Sequence, residues 1–166
     1  MTDNGENWAE FAALVKVQLP VLLLFARQWP HDSPEDIVQE AFMRLLELTE
    51  PPENVTAWLF AVVRNLSNNH IRSEKRRKNR EIEKSSHNSL WFVTPDRDDE
   101  TNDHHTELIE QLQQLPFQYR EVIVAKIWGK LTFDQIAVTQ ETSTSSAHRI
   151  YQAGIKLLHE KLADNV

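Results

Sequence analysis

Apolar residues recur along most of this chain three and four positions apart, the spacing of a helix that buries one face. Trp8, Phe11, Ala12, Val15 and Leu19 form the first stripe, and Pro20 then kinks or restarts the helix because proline offers no N–H to the preceding turn. Ser33-Pro34-Glu35-Asp36 has the form of a helix start: a hydroxyl at the N-cap, proline at the first helical position and early acids. Ile37, Val38, Ala41, Phe42, Leu45 and Leu46 carry a buried stripe onward until Pro51-Pro52 ends it. The next stripe is Val55, Leu59, Val62, Val63 and Leu66, with Asn54 or Thr56 as its cap. Only three glycines occur, at 5, 129 and 154, and no β-branched run alternates, so the pattern predicts helices and no strands.

After Arg80 the periodicity stops. Ser85-Ser86-His87-Asn88-Ser89, Pro95 and an acidic block predict an exposed linker to about Thr106, with Leu90-Trp91-Phe92-Val93 as an apolar island. Few apolar residues lie in this stretch, which predicts two units with no shared core that move independently. Helical spacing returns at Leu108, Leu112 and Leu115. Pro116 opens a helix through Trp128, which Gly129 stops at the C′ position. Thr132-Phe133-Asp134-Gln135 has the capping-box form. A short helix to about Gln140, a Ser/Thr-rich turn and a long helix from about Thr144 complete the pattern.

A length of 166 residues accommodates one ordinary domain or two small ones. No cysteine is present, which excludes disulfides, thiolate zinc sites and a cysteine nucleophile. The first residues lack the basic start of a secretory signal, and the longest unbroken apolar run, Val21 to Ala26, is far below the roughly 20 residues of a membrane span. No membrane insertion and a cytoplasmic location are therefore expected. The net charge of −7 argues against nucleic acid until its distribution is considered. From Arg64 to Arg80 there are seven Lys/Arg against one acid; from Asp96 to Glu110 there are seven Asp/Glu against one base. Blocks of opposite sign mark different partners or solvated tails.

Two helical faces carry candidate chemistry. On the last helix, Ala147, Ile150, Tyr151, Gly154, Leu158 and Leu162 can pack inward, while Ser145, His148, Arg149, Gln152 and Lys156 align outward. Thr144, Ser145 and Ser146 sit at its N-terminus, where free N–H groups and the helix dipole favour phosphate. Arg149 can donate two bonds to a guanine edge, and Gln152 matches adenine. A short capped helix and a turn before such a helix are the makings of a helix-turn-helix, whose second helix enters the major groove. In the N-terminal half, the run from Asp36 to Phe42 sets Asp36, Gln39 and Glu40 opposite an apolar face.

Asp36-Ile37-Val38-Gln39-Glu40-Ala41-Phe42, Ala57-Trp58-Leu59-Phe60 with Arg64-Asn65-Leu66, and Leu131-Thr132-Phe133-Asp134-Gln135-Ile136-Ala137 before Ser146 to Leu158 together resemble the sigma-70 superfamily of bacterial initiation factors. The small size points to its extracytoplasmic-function branch. The resemblance implies an all-α fold of two small helical domains. These are a region 2-like bundle over 1–80, a flexible acidic linker over 81–106 and a region 4-like helix-turn-helix over 107–166. It implies docking on the β′ clamp helices of core RNA polymerase through Asp36, Gln39, Glu40 and Phe42, and a second contact on the β flap. It also implies capture of the non-template −10 strand by Arg64, Asn65, Asn68, Asn69, Arg72, Lys75 and Arg76, with Asn65 at the base-pocket asparagine. The −35 element falls to Thr144, Ser145, Ser146, His148, Arg149, Gln152 and Lys156. The chain departs from the family in having no glycine in the helix-turn-helix turn, where Gln140-Glu141-Thr142-Ser143 stands, and in a short connection from Glu50 to Thr56.

Trp58, among apolar neighbours, reads as a core residue rather than a stacking platform. The adjacent His104-His105 and the scattered remaining histidines lack metal spacing, and no phosphate-binding glycine loop occurs, so no enzyme, cofactor, metal or small-molecule substrate is expected. An anti-sigma factor is a further expected class of partner. Two other readings stand beside this one: a helix-turn-helix regulator acting without polymerase, and a purely protein-binding helical module.

Overall fold

The computed structural model describes residues 3–78, 108 and 110–163, and the linker expected over 81–106 lies outside the described residues. Among the described residues every regular element is a helix. Helices α1 (Asp3–Ala26), α2 (Pro34–Leu46) and α3 (Val55–Lys78) form a first group, and α4 (Phe117–Ile127), α5 (Phe133–Gln140) and α6 (Thr144–Ala163) a second. Pro20 stands inside α1 without ending it. The window Trp8–Ala26 is long and apolar enough to cross a membrane, but Leu22, Leu24, Phe25 and Ala26 at its end pack in the bundle core.

Local chemistry accounts for the helix ends. Asn54 Oδ1 accepts from the Ala57 amide at 2.8 Å, so Asn54 caps α3, while Thr56 instead accepts from Gln18 Nε2 at 2.9 Å. Ser33 precedes α2 but makes no side-chain cap bond; Pro34 begins the helix. Thr132 and Gln135 form the complete capping box of α5, at 3.2 and 2.8 Å. Ser143 caps α6 by accepting from the Ser146 amide at 3.1 Å. The glycine-free turn places Glu141 in the left-handed conformation at φ 54°, closing α5 with its amide on Ala137 and Val138.

Buried Leu22, Phe25, Val38, Leu59, Phe60 and Val63 fill the first group, and Leu112, Val122, Ile123, Ala137, Ala147 and Leu158 the second. Gly154 lets α6 close on α4, since a Cβ there would lie 2.9 Å from Tyr119 Cβ.

The two groups share a core, which the linker composition did not predict. Helix α3 packs against α5, and α1 against α4. Gly129 sits under the Phe60 ring, where a Cβ would come within 2.5 Å of Phe60 Cζ and 2.6 Å of the Ala125 carbonyl oxygen. Gly129 does stand at the C′ position of α4, but the positive φ, 54°, falls on Lys130. The glycine is required here for space rather than for backbone handedness. Trp29 and Phe117 meet edge to face at 5.0 Å across the same interface, and Arg120 Nη2 reaches the Gln28 carbonyl at 3.4 Å. Among the described residues the interface is built by helix and helix-end residues.

Candidate nucleic-acid and polymerase interface

Helix α2 buries Ile37, Val38, Ala41 and Phe42 and exposes Asp36, Gln39 and Glu40. Glu40 accepts from Arg44 Nε at 2.9 Å, one turn on, with both side chains about half exposed. That pair is weak in water and exchanges readily for a partner's cation. Phe42 differs from the other three: it is 7 % exposed and meets Phe11 edge to face at 6.2 Å, so it anchors α2 in its own bundle. Phe42 also helps line an apolar groove of ≈ 450 Å³ between α1 and α2, together with Phe11, Val15, Leu19, Met43 and Gln39.

The α3 residues fall on one stripe, because positions three, four and seven apart share a helix face. Asn65, Asn69, Arg72, Lys75 and Arg76 are exposed, and Arg64 and Asn68 are half-buried. Two of these seven are already held. Arg64 Nε donates to Glu121 Oε1 of α4 at 2.6 Å, and Trp29 Nε1 donates to Asn68 Oδ1 at 2.8 Å. Trp58 is half-buried against the core. Glu121 is 3 % exposed; burial pushes its carboxyl above the usual range, opposed by Arg64 and by a hydrogen bond with Gln140. Neither Glu121 nor Trp29 stood out in the sequence as a site residue, because each looks like an ordinary member of its own segment.

The two faces of α6 are arranged as its pattern predicts. Thr144, Ser145, His148, Arg149, Gln152 and Lys156 are exposed, with Ala147, Gly154 and Leu158 buried beneath them. Thr144 donates to Asp134 Oδ1 at 2.7 Å, and the Ser143 hydroxyl to Ser146 Oγ at 2.9 Å, so these two N-terminal hydroxyls brace the turn. The His148 ring stands edge to face on Phe133 at 4.8 Å, and Lys156 lies 3.9 Å from Glu160.

Under the α3 stripe lies His31, a buried group that sequence reasoning missed. Its Nε2 shares a 3.2 Å hydrogen bond with Ser67 Oγ, its Nδ1 has no partner, and the His70 ring stands 5.8 Å away. Burial, then His70, hold its pKa below 6.5; its own backbone, Asp32 and Glu35 pull the other way. A histidine depressed on folding takes up a proton more readily when unfolded, so its contribution is present above 6.5 and is lost as pH falls from there through the folded value. The melting temperature is expected to drop on acidification below 6.5, and His31→Gln to flatten that dependence. An unchanged slope in the variant would assign the acid sensitivity elsewhere.

Residues 14–77 match the sigma-70 region 2 family. RNA polymerase sigma factor SigV of Bacillus subtilis (strain 168) is 26% identical over 144 residues, covering 84% of this chain and 82% of SigV. The ECF sigma factor EcfG of Rhodopseudomonas palustris (strain TIE-1) is 29% identical over 96 residues, covering 56% of this chain and 51% of EcfG. Among solved structures, the sigma factor RpoE in complex with the anti-sigma factor NepR from Bartonella quintana superposes with a TM-score of 0.67 at 21% identity, covering 93% of this chain and 97% of RpoE. CnrH in complex with the cytosolic domain of CnrY gives 0.59, also at 21% identity, covering 94% and 89%. Residues 14–77 thus carry a sigma-70 region 2 domain, and the relatives that match the chain are RNA polymerase sigma factors, one of them of the extracytoplasmic-function group.

Proposed function

We propose that the chain binds core RNA polymerase through α2 and supplies promoter specificity, capturing the −10 non-template strand on α3 and reading the −35 duplex with α6. The observation that carries this is the exposed Asp36, Gln39 and Glu40 face on the same small bundle as the Asn65-to-Arg76 stripe. A basic track for the backbone beside side-chain amides able to bond a splayed base is what capture of a single strand requires. The apolar groove beside Gln39 adds desolvated area to a polar docking contact. The site of action is the cytoplasm, where polymerase works, and the structural likeness to RpoE bound to NepR supports an anti-sigma factor as a further partner.

Promoter binding also requires the two groups to part. Elements about 25 base pairs apart are separated by roughly 85 Å of duplex. A folded chain of this length has a radius of gyration of about 15 Å. The shared Phe60, Trp29 and Glu121 interface therefore opens on DNA.

Reversing the α2 face with Gln39→Lys and Glu40→Lys is expected to weaken co-purification with core polymerase at least about tenfold, with helical content unchanged, since both residues are exposed. Equal recovery of core by the variant would remove the docking assignment. On α6, Arg149→Ala is expected to cost about 1–3 kcal/mol and to relax preference at one −35 position, as a bidentate base contact does. Lys156→Ala is expected to weaken all sequences alike, as a phosphate contact does. A uniform loss for Arg149→Ala would make it a backbone contact instead.

A further inference from the structure

We propose that Trp29 is a positioning residue for strand recognition: its indole N–H fixes the Asn68 amide so that Asn68 offers only N–H donors outward, to an oxygen acceptor on the captured strand. The proposal rests on the assignment of the α3 stripe to the −10 strand and specifies what one position of that stripe reads.

The oxygen and nitrogen of a side-chain amide ordinarily have to be assigned from their surroundings. Here the partner decides. An indole nitrogen can only donate, so the Asn68 atom 2.8 Å from Trp29 Nε1 is its carbonyl oxygen. The two N–H bonds of Nδ2 are then left for another acceptor. Within its own helical group Trp29 is held by Phe25, edge to face on its ring at 5.1 Å, a contact that stays when the two groups part. Asn68 is half-buried, one turn beyond exposed Asn65 and one turn before exposed Arg72, and so lies within the stripe.

Two amides on one face thus make different offers. Asn65, exposed, can turn either its oxygen or its nitrogen to a base and match a mixed donor–acceptor edge. Asn68 cannot turn, and it disfavours an exocyclic amino group while donating to a base carbonyl or a phosphate oxygen. A tryptophan that only filled space would require no acceptor on α3, and an asparagine that only satisfied Trp29 would have no bearing on strand preference.

The test uses the chain reconstituted with core polymerase, selecting from a pool of fork-junction DNA with a randomised single-stranded −10 segment. Trp29→Phe keeps the ring and removes only the N–H. It is expected to relax preference at a single strand position and to weaken the selected sequence roughly fivefold, the weight of one ordinary hydrogen bond. Asn68→Ala is expected to act at that same position, and the double variant to be no weaker than Asn68→Ala alone. Replacing phosphates of the selected strand one at a time by uncharged methylphosphonates separates the two acceptor sources. A relaxed base preference means a base carbonyl. A loss that disappears on one neutral linkage, with base preference intact, means a phosphate oxygen. Wild-type affinity and preference in Trp29→Phe would overturn the proposal, as would additive losses in the double variant or a lower melting temperature with unchanged selection. A wild-type holoenzyme that selects no strand sequence would instead overturn the −10 assignment itself.

Discussion

Asn65→Ala is expected to retain core-polymerase docking and −35 binding while losing open-complex formation on duplex promoters at least about tenfold. A side-chain amide can satisfy donor and acceptor groups together on a flipped base edge, which a methyl group cannot. Asn65 is exposed on α3, beyond the apolar segment that ends at Val63 and beside the Asn68, Asn69 and Arg72 track. Exposure also rules on the competing role. An exposed helical asparagine replaced by alanine changes stability within roughly half a kcal/mol, in a direction that helix propensity favours. The variant is therefore expected to melt with the wild type, and a pre-melted template to recover only part of the lost activity. Permanganate reactivity of the −10 thymines, measured beside the melting temperature, checks both halves. Normal opening by a stable variant would end the base-pocket assignment.

The second large effect belongs to the interface between the two helical groups. Glu121→Ala is expected to cost about 3 kcal/mol, toward the lower end for breaking a buried ion pair because Arg64 keeps 20% exposure and can draw on water. Glu121→Gln is expected to recover most of that loss. Its amide oxygen still accepts from Arg64 at the same place, and a neutral group is easier to bury than the carboxylate whose pKa burial already raises. Thermal melting of the two variants reads the difference. Because the pair joins α3 to α4, Glu121→Ala also frees Arg64 and loosens the closed arrangement, which limited proteolysis or the solution radius registers. Wild-type melting and radius in Glu121→Ala would mean that the two groups do not meet through this pair.

How much of this was legible beforehand depends on the range of the interaction concerned. Caps and stripes are local, and Thr132-Gln135, Asn54 and the inward Ala147, Gly154 and Leu158 fall where their spacing put them. The family resemblance added which faces to watch, and the outward Arg149, Gln152 and Lys156 are indeed exposed. Contacts between distant segments left no periodic trace. Nothing around Gly129 in the chain announces that Phe60, 69 positions earlier, needs the space of its missing Cβ. Nothing beside Trp29 announces Asn68, or beside Arg64 announces Glu121, because each residue alone satisfies the pattern of its own helix. Phe42 was legible in both roles: its spacing put it in the buried stripe of α2, where it packs on Phe11, and the resemblance put it at the docking face, where it helps line the groove between α1 and α2.

The central claim is that this chain confers promoter choice on core polymerase rather than binding DNA alone. Run-off transcription from genomic fragments with purified core polymerase tests it most directly. Discrete transcripts are predicted only when chain and core are both present, and none when the chain carries Gln39→Lys and Glu40→Lys. Equal binding of the same fragments with and without core, and no new transcript when core is added, would contradict it.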